Sequence, residues 1–222
     1  MKAQKLHDWQ VTAAQAISIQ RKLARLVVKE GEPRQVRLVA GVDISVSNRR
    51  ELARGAAVVL RYPSLELVES QVVEREVGFP YVPGLLSFRE APIILGVCEK
   101  LINIPDLILV DGQGLAHPRR LGLASHLGLL WDRPTIGCAK SRLCGKHGPV
   151  GAGRGEHTEL VDGAEVIGAV LRTRMNVKPL YISIGHRINL EAAIQWVLNC
   201  GGGYRLPEPT RLAHQVAGGK IL

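Results

Sequence analysis

The order of patterned segments predicts an α/β fold with a mixed sheet. Three observations carry this. Three strand-like segments at 36–46, 55–62 and 65–76 follow one another through short connections. A helical apolar face at 93–101 then leads into the wholly apolar run 107–110. From there strand-like and helical segments alternate, the pattern of an open α/β sheet. The chain has 222 residues, enough for a single domain that needs no disulfide or structural metal to fold.

Each element has a local reason. Val11, Ala14, Ile17, Leu23, Leu26 and Val27 fall at helical spacing, so a helix is expected over 9–29, ended by Gly31 and Pro33. In 36–46, Val36, Leu38, Ala40, Val42, Ile44 and Val46 share one parity, the mark of a strand. Asp43 sits on the other parity with Val39 and Gly41. The short turn at Pro63-Ser64 makes the first three strands an antiparallel meander. Further helices are expected at 119–131, 190–199 (with Asn189 as N-cap) and 208–217, and further strands at 134–139 and 179–184. The strand 107–110 follows a crossover helix, so it should lie parallel to 36–46. Asp43 and Asp111 then meet at one end of two adjacent strands, where open α/β sheets place their sites.

Composition narrows the function. Lys plus Arg number 29 and Asp plus Glu 20, a net charge of +9. That excess suits a polyanionic partner, or belongs to an enzyme that is merely basic. Aromatics are only 4%, too few for serial base stacking, so charge on the backbone is the expected basis of affinity. No apolar run approaches a membrane span, and MKAQKLHDWQ has no signal core, so a cytoplasmic protein is expected. Cys98, Cys138, Cys144 and Cys200 form no C-x-x-C pair and read as free thiols; Cys138, Cys144 and His147 would need a fourth ligand to hold zinc.

Several residues could carry chemistry. Asp43 breaks an apolar strand, which is costly unless it is paired or binds metal; it could instead form a turn with Ser45 or Ser47. Asp111 opens VDGQG, an acid after a buried strand with glycines that admit a ligand. Glu90 either closes a capping box with Ser87 or, if the helix starts nearer Pro92, points elsewhere. Lys140 follows a short strand and is a candidate for contact with developing phosphate charge, or a solvated surface lysine. His214, alone on its helix, is surface decoration unless other ligands converge on it. His117 could be a phosphate contact, and His126 reads as packing. In Pro80-Tyr81-Val82-Pro83-Gly84 two prolines stiffen an aromatic loop, either a wedge between bases or a packed surface loop. Carboxylates at a sheet edge suit a hard cation such as Mg²⁺, and with a basic chain they suit phosphodiester hydrolysis.

GVDIS at 41–45, PYVPGLLSFRE at 80–90, LILVDGQGLAHPRRLGLASHLG at 107–128 and AKSRL at 139–143 resemble endonuclease V, the deoxyinosine 3′ endonuclease family, over roughly 35–216. The resemblance implies a ribonuclease H-like fold whose central mixed sheet has five strands. It implies cleavage of the second phosphodiester 3′ of a deaminated base, chiefly hypoxanthine, leaving 3′-hydroxyl and 5′-phosphate. Carried over by motif, Asp43, Glu90 and Asp111 form the acidic metal site for Mg²⁺, with Mn²⁺ expected to substitute. His214 joins that catalytic cluster and Lys140 is its basic partner. Pro80, Tyr81, Val82 and Pro83 become the strand-separating wedge. Gly84, Leu86, Gly112, Gly122 and Leu143 look like the lining of the base pocket, with His117 nearby. The expected partner is DNA containing deaminated bases, with inosine in RNA left open, and a monomer is expected. A non-catalytic nucleic-acid-binding module is the rival from another class, but it would have no reason to hold carboxylates against a polyanion.

Overall fold

The computed structural model describes residues 1–47 and 52–222. The first three strands, β1 (Leu38–Ser47), β2 (Leu52–Arg61) and β3 (Glu66–Glu76), form the expected antiparallel meander. Helix α2 (Leu86–Cys98) crosses to β4 (Leu107–Val110), which pairs in parallel with β1, and β5 (Thr135–Ala139) pairs in parallel with β4. The full order is β3-β2-β1-β4-β5-β8-β7-β6, a mixed eight-stranded sheet rather than five strands. The core arrangement is as expected, and β8 (Leu180–His186), antiparallel to β5, is the strand expected at 179–184; the unexpected addition is a hairpin of β6 (His157–Asp162) and β7 (Glu165–Leu171). That hairpin, absent from the expected elements, does carry a sequence signal, Asp162-Gly163 between alternating residues. Its strand β6 is an edge strand with one fully buried residue, Leu160, so its apolar signal is weak.

Helices cover both faces. Val39, Leu107 and Leu109 face α4 (Leu190–Asn199) and α5 (Glu208–Ala217), while Ala40, Val42, Ile108 and Val110 face α2 and α3 (Leu123–Trp131). Alternating side chains of central strands are thus buried on both sides, as parallel strands require. Asn189 caps α4 by accepting the Ala192 N–H at 2.7 Å. Helix α1 (Ala13–Ala24) is shorter than 9–29 at both ends; Thr12 and Gln15 close a capping box, and its Leu23 packs on Leu121 and Leu129. His126 is fully buried and its Nε2 lies 2.7 Å from Nε2 of His7. Cys98, Cys138 and Cys200 are buried free thiols and Cys144 is half-buried. Among the described residues no helix is long and apolar enough to cross a membrane.

One glycine decides how closely α5 approaches the sheet. A Cβ on Gly41 of β1 would lie 1.9 Å from the Pro209 carbonyl oxygen at the start of α5. Backbone, not a movable side chain, occupies that space. Gly41→Ala should therefore push α5 off the sheet and cost ~1–3 kcal/mol, the usual penalty of overpacking. Urea unfolding measures this; a stability equal to wild type would show that α5 is not held by this contact.

Candidate active site

Three elements deliver the acids. Val42 of β1 pairs with Val110 of β4, so Asp43 and Asp111, one residue further on, lie side by side at the same end of the parallel pair. Asp43 continues the parity of Val39 and Gly41 and so faces α5, where His214 stands just over one turn beyond Pro209. Asp43 is 8% exposed and the Asp111 side chain 9%. Asp43 lies inside β1, and among the described residues its Oδ1 accepts from the Ile44 N–H at 2.8 Å and its Oδ2 contacts His214, not Ser45; the Ser47 side chain of the alternative turn lies outside what is described.

His214 Nδ1 lies 2.6 Å from Asp43 Oδ2 and 3.4 Å from Lys140 Nζ. One ring nitrogen cannot both donate to the carboxylate and accept from the ammonium, and the shorter contact places the proton on Nδ1. Lys140 follows β5 and its ammonium is ion-paired with Asp111 Oδ2. That buried oxygen accepts no aligned hydrogen bond. Among the described residues, Asp43, Asp111 and His214 are the one group of ligand-type side chains whose donor atoms all lie within 4.8 Å of one another. So converging partners raise the isolated His214 from surface decoration to a site residue.

Glu90 stands slightly apart. Helix α2 begins at Leu86 with no side-chain cap, Pro92 lies inside it, and Ser87 Oγ is buried without a partner. The capping box is therefore not formed, and neither does the helix start near Pro92. Glu90 instead approaches the edge from the α2 face, close enough to feel both aspartates but outside the three-residue group. Burial first, then the charges of Asp43 and Asp111, push its carboxyl up to about 8. Burial and the Asp111 charge likewise raise Asp43, against the hydrogen bond from His214. Three acids held this way fit a hard, oxygen-preferring cation, which would relieve their mutual repulsion.

Beside this edge lies a cavity of about 140 Å³. Gly84, Leu86, Gly112, His117, Gly122 and Leu143, the six residues expected to form a pocket, all line it, as do Tyr81, Val82 and Pro83. Phe79 and Val82 anchor the proline loop against α1 and Phe88, while Tyr81 remains 70% exposed. The loop is thus packed at its base and open at its tip. Burial, and then Arg119, push His117 down to about 4 despite its bond to the Gly84 carbonyl, so the ring is neutral. Gln20, Gln113 and Leu121 also line this cavity. None of the three is among the expected pocket residues, although Gln20 shares the buried stripe of α1 with Ala16 and Leu23, where a polar residue is a signal.

A carboxylate cluster on the central parallel strands of a mixed sheet, with a lysine and a neighbouring cleft, is the kind of arrangement that hydrolases of nucleic acid use. The endonuclease V family model matches residues 21–215. Endonuclease V of Gloeobacter violaceus is 53% identical over 212 residues, covering 94% of this chain and 86% of that protein. The crystal structure of endonuclease V from Streptomyces avermitilis superposes with a TM-score of 0.89 at 42% identity, covering 95% of this chain and 93% of that one. That of Ciona intestinalis endonuclease V, in complex with a 24-mer DNA containing an inosine followed by a ribo-adenosine, has a TM-score of 0.80 at 28% identity, covering 92% and 95%. The chain belongs to the endonuclease V family.

The raised Glu90 carboxyl has a consequence for stability. A carboxyl with a folded value of about 8 against 4.5 takes up its proton more readily in the folded state. Stability in chelator should therefore fall as pH rises from about 4.5 to about 8, since in that window the unfolded chain's carboxyl is free to ionise while the folded chain must keep its proton. Glu90→Gln should remove this fall. The side chain keeps some solvent contact, so the gain at pH 8 should be ~1–2 kcal/mol, with little change near pH 4.5. Urea unfolding of both proteins in chelator at the two pH values tests this; no gain at the higher pH would mean that Glu90 is solvated and not repelled.

Proposed function

We propose that this chain is a cation-dependent endonuclease that recognises deaminated bases in DNA, chiefly deoxyinosine. In this reading it hydrolyses the second phosphodiester 3′ of the lesion, leaving a 3′-hydroxyl and a 5′-phosphate, and works as a cytoplasmic monomer. The observation that carries it is the adjacency of the cavity and the acids: Gly112 and Gln113 line the cavity directly after Asp111 in the chain. The inosine-containing DNA bound by the Ciona relative supports the substrate class.

Asp43 and Asp111 would hold the cation, with Glu90 facing them from α2 and His214 beside them. Mg²⁺ suits the carboxylates, with Mn²⁺ expected to substitute for it. When bound, the cation lowers the pKa of a coordinated water and offsets charge on the scissile phosphate. The remaining work belongs to side chains. Lys140 stands where negative charge develops on the phosphate. Asp43 holds the His214 ring through Nδ1, which orients Nε2 towards solvent as an acceptor for the proton of the attacking water. The base is turned out of the stack into the cavity, where backbone groups beside Gly84, Gly112 and Gly122 read its edge. Tyr81, exposed at the tip of a loop stiffened by Pro80 and Pro83, fills the gap left behind.

The test is cleavage of matched strands with and without inosine, in DNA and in RNA, with Mg²⁺. Specific cleavage of the inosine-containing DNA is expected; cleavage of RNA alone would replace DNA as the substrate. Asp43→Ala and Asp111→Asn should each lose a thousandfold or more in rate, on the order expected for removing a cation's support from a transition state, while still binding the strand. Wild-type rates from either folded variant would remove the metal-site assignment. Tyr81→Ala should weaken binding to an inosine-containing duplex in Ca²⁺ by ~1–3 kcal/mol, the usual worth of a base–aromatic stack. Binding to undamaged duplex at the same salt should hardly change; equal weakening of both would leave Tyr81 as an ordinary surface residue.

A further inference from the structure

Gln20 lies on α1, far from the acids in sequence, yet it is fully buried beneath the cavity. Its Nε2 donates to two carbonyls from separate segments that both line the cavity: Gly84 at 3.0 Å and Leu121 at 3.2 Å. Gly84 ends the proline loop, and Leu121 precedes Gly122, both on the segment that leads into α3 and both lining the cavity. The amide oxygen of Gln20 is itself held, accepting from Arg119 Nε at 2.5 Å. The Gly84 carbonyl accepts two more bonds, from His117 Nε2 at 2.9 Å and Arg119 Nη2 at 2.6 Å. His117 keeps its Nε2 proton because Nδ1 accepts the Arg119 backbone N–H at 3.1 Å. Gly84 has φ +76°, and a Cβ there would meet Arg119 Nη2 at 2.7 Å. Only glycine fits this backbone turn against its own brace.

A single amide that spans two walls sets the distance between them. We infer that Gln20 is a positioning residue that fixes the width of the cavity by tying Gly84 to Leu121, and so selects for a planar base that fits between them. This rests on the reading of the cavity as the base pocket. Neither donor of the Gln20 amide is spare for the ligand, since both walls use the same nitrogen, and its oxygen is taken by Arg119. Gln20 therefore acts on the base only through the walls, whose backbone groups do the reading.

The test compares affinities in Ca²⁺ for a strand with one inosine and the same strand with an abasic tetrahydrofuran at that position. The abasic strand places nothing in the cavity, so it reports the rest of the interface. Gln20→Met keeps the length and apolar packing of the side chain but removes the brace. It should weaken inosine binding by ~10-fold, since small losses of alignment cost factors of this order, and leave abasic binding within about twofold. Gln20→Glu keeps the contact with Arg119 but replaces the donor by an acceptor, so it should not rescue the loss. Should Gln20→Met fail to fold in a thermal melt, Gln20→Asn, which keeps the amide but is one methylene too short to reach both carbonyls, must show the same strand-selective loss. Equal losses on both strands, or no loss, would overturn the inference. If wild type itself binds the two strands equally, the base-pocket reading falls first, and this inference falls with it.

Discussion

Two carboxylates side by side, taken out of water at the end of two parallel strands, are the constraint on which this structure turns. Asp43 and Asp111 cannot both ionise there at no cost, and Glu90, a third carboxyl from the opposite layer, is pushed towards its neutral form by them. The fold meets that cost from three directions. Helix α5 sits directly on β1 at Gly41 and brings His214 to Asp43. Strand β5, parallel to β4, ends at the same edge and brings Lys140 to Asp111. Arg205 then fixes that lysine's backbone, donating from Nη2 to the Lys140 carbonyl at 2.6 Å and to that of Pro179 at 2.9 Å. The lysine balances part of the charge and the imidazole hydrogen-bonds another part; the remainder is what a hard divalent ion would take up.

Much of this is legible in the amino-acid sequence. The parity of 36–46 puts Asp43 on the face of Val39 and Gly41, and the crossover rule puts Asp111 beside it; both inferences use strong local rules with few alternatives. Glu90, Lys140 and His214 are ambiguous for a common reason. Each is an ordinary surface type until its neighbours are known, and those neighbours are distant in the chain. Lys140 and His214 are 74 residues apart, and His214 and Asp43 are 171 apart. Local rules also misplace α2, since Pro92 argues for a start beyond Glu90 whereas tertiary burial carries the helix through it. Gln20 escapes notice because helical periodicity rewards apolar residues and passes over the single polar one that the stripe buries.

The segment after β4 joins recognition to chemistry, and its rigidity explains why the two can work as one. Asp111 belongs to the acidic edge, and the next two residues already line the cavity. The Gln113 side chain donates to the Ser141 carbonyl at 2.8 Å, beside Lys140. The Gly114 N–H donates to Ser183 Oγ at 2.9 Å, and the Leu115 N–H to the Ile184 carbonyl at 2.7 Å, both on β8. A loop held at both ends and in the middle cannot lengthen when a base enters the cavity. Consecutive Cα atoms are ~3.8 Å apart, so the step from Asp111 to Gln113 spans less than ~8 Å. Under the proposed function, a base in the cavity then places one particular phosphate of its own strand at the acids. On that proposal the position of the cut would follow from this loop and not from the identity of the neighbouring bases, which a protein poor in aromatics and rich in backbone-directed charge has few means to read.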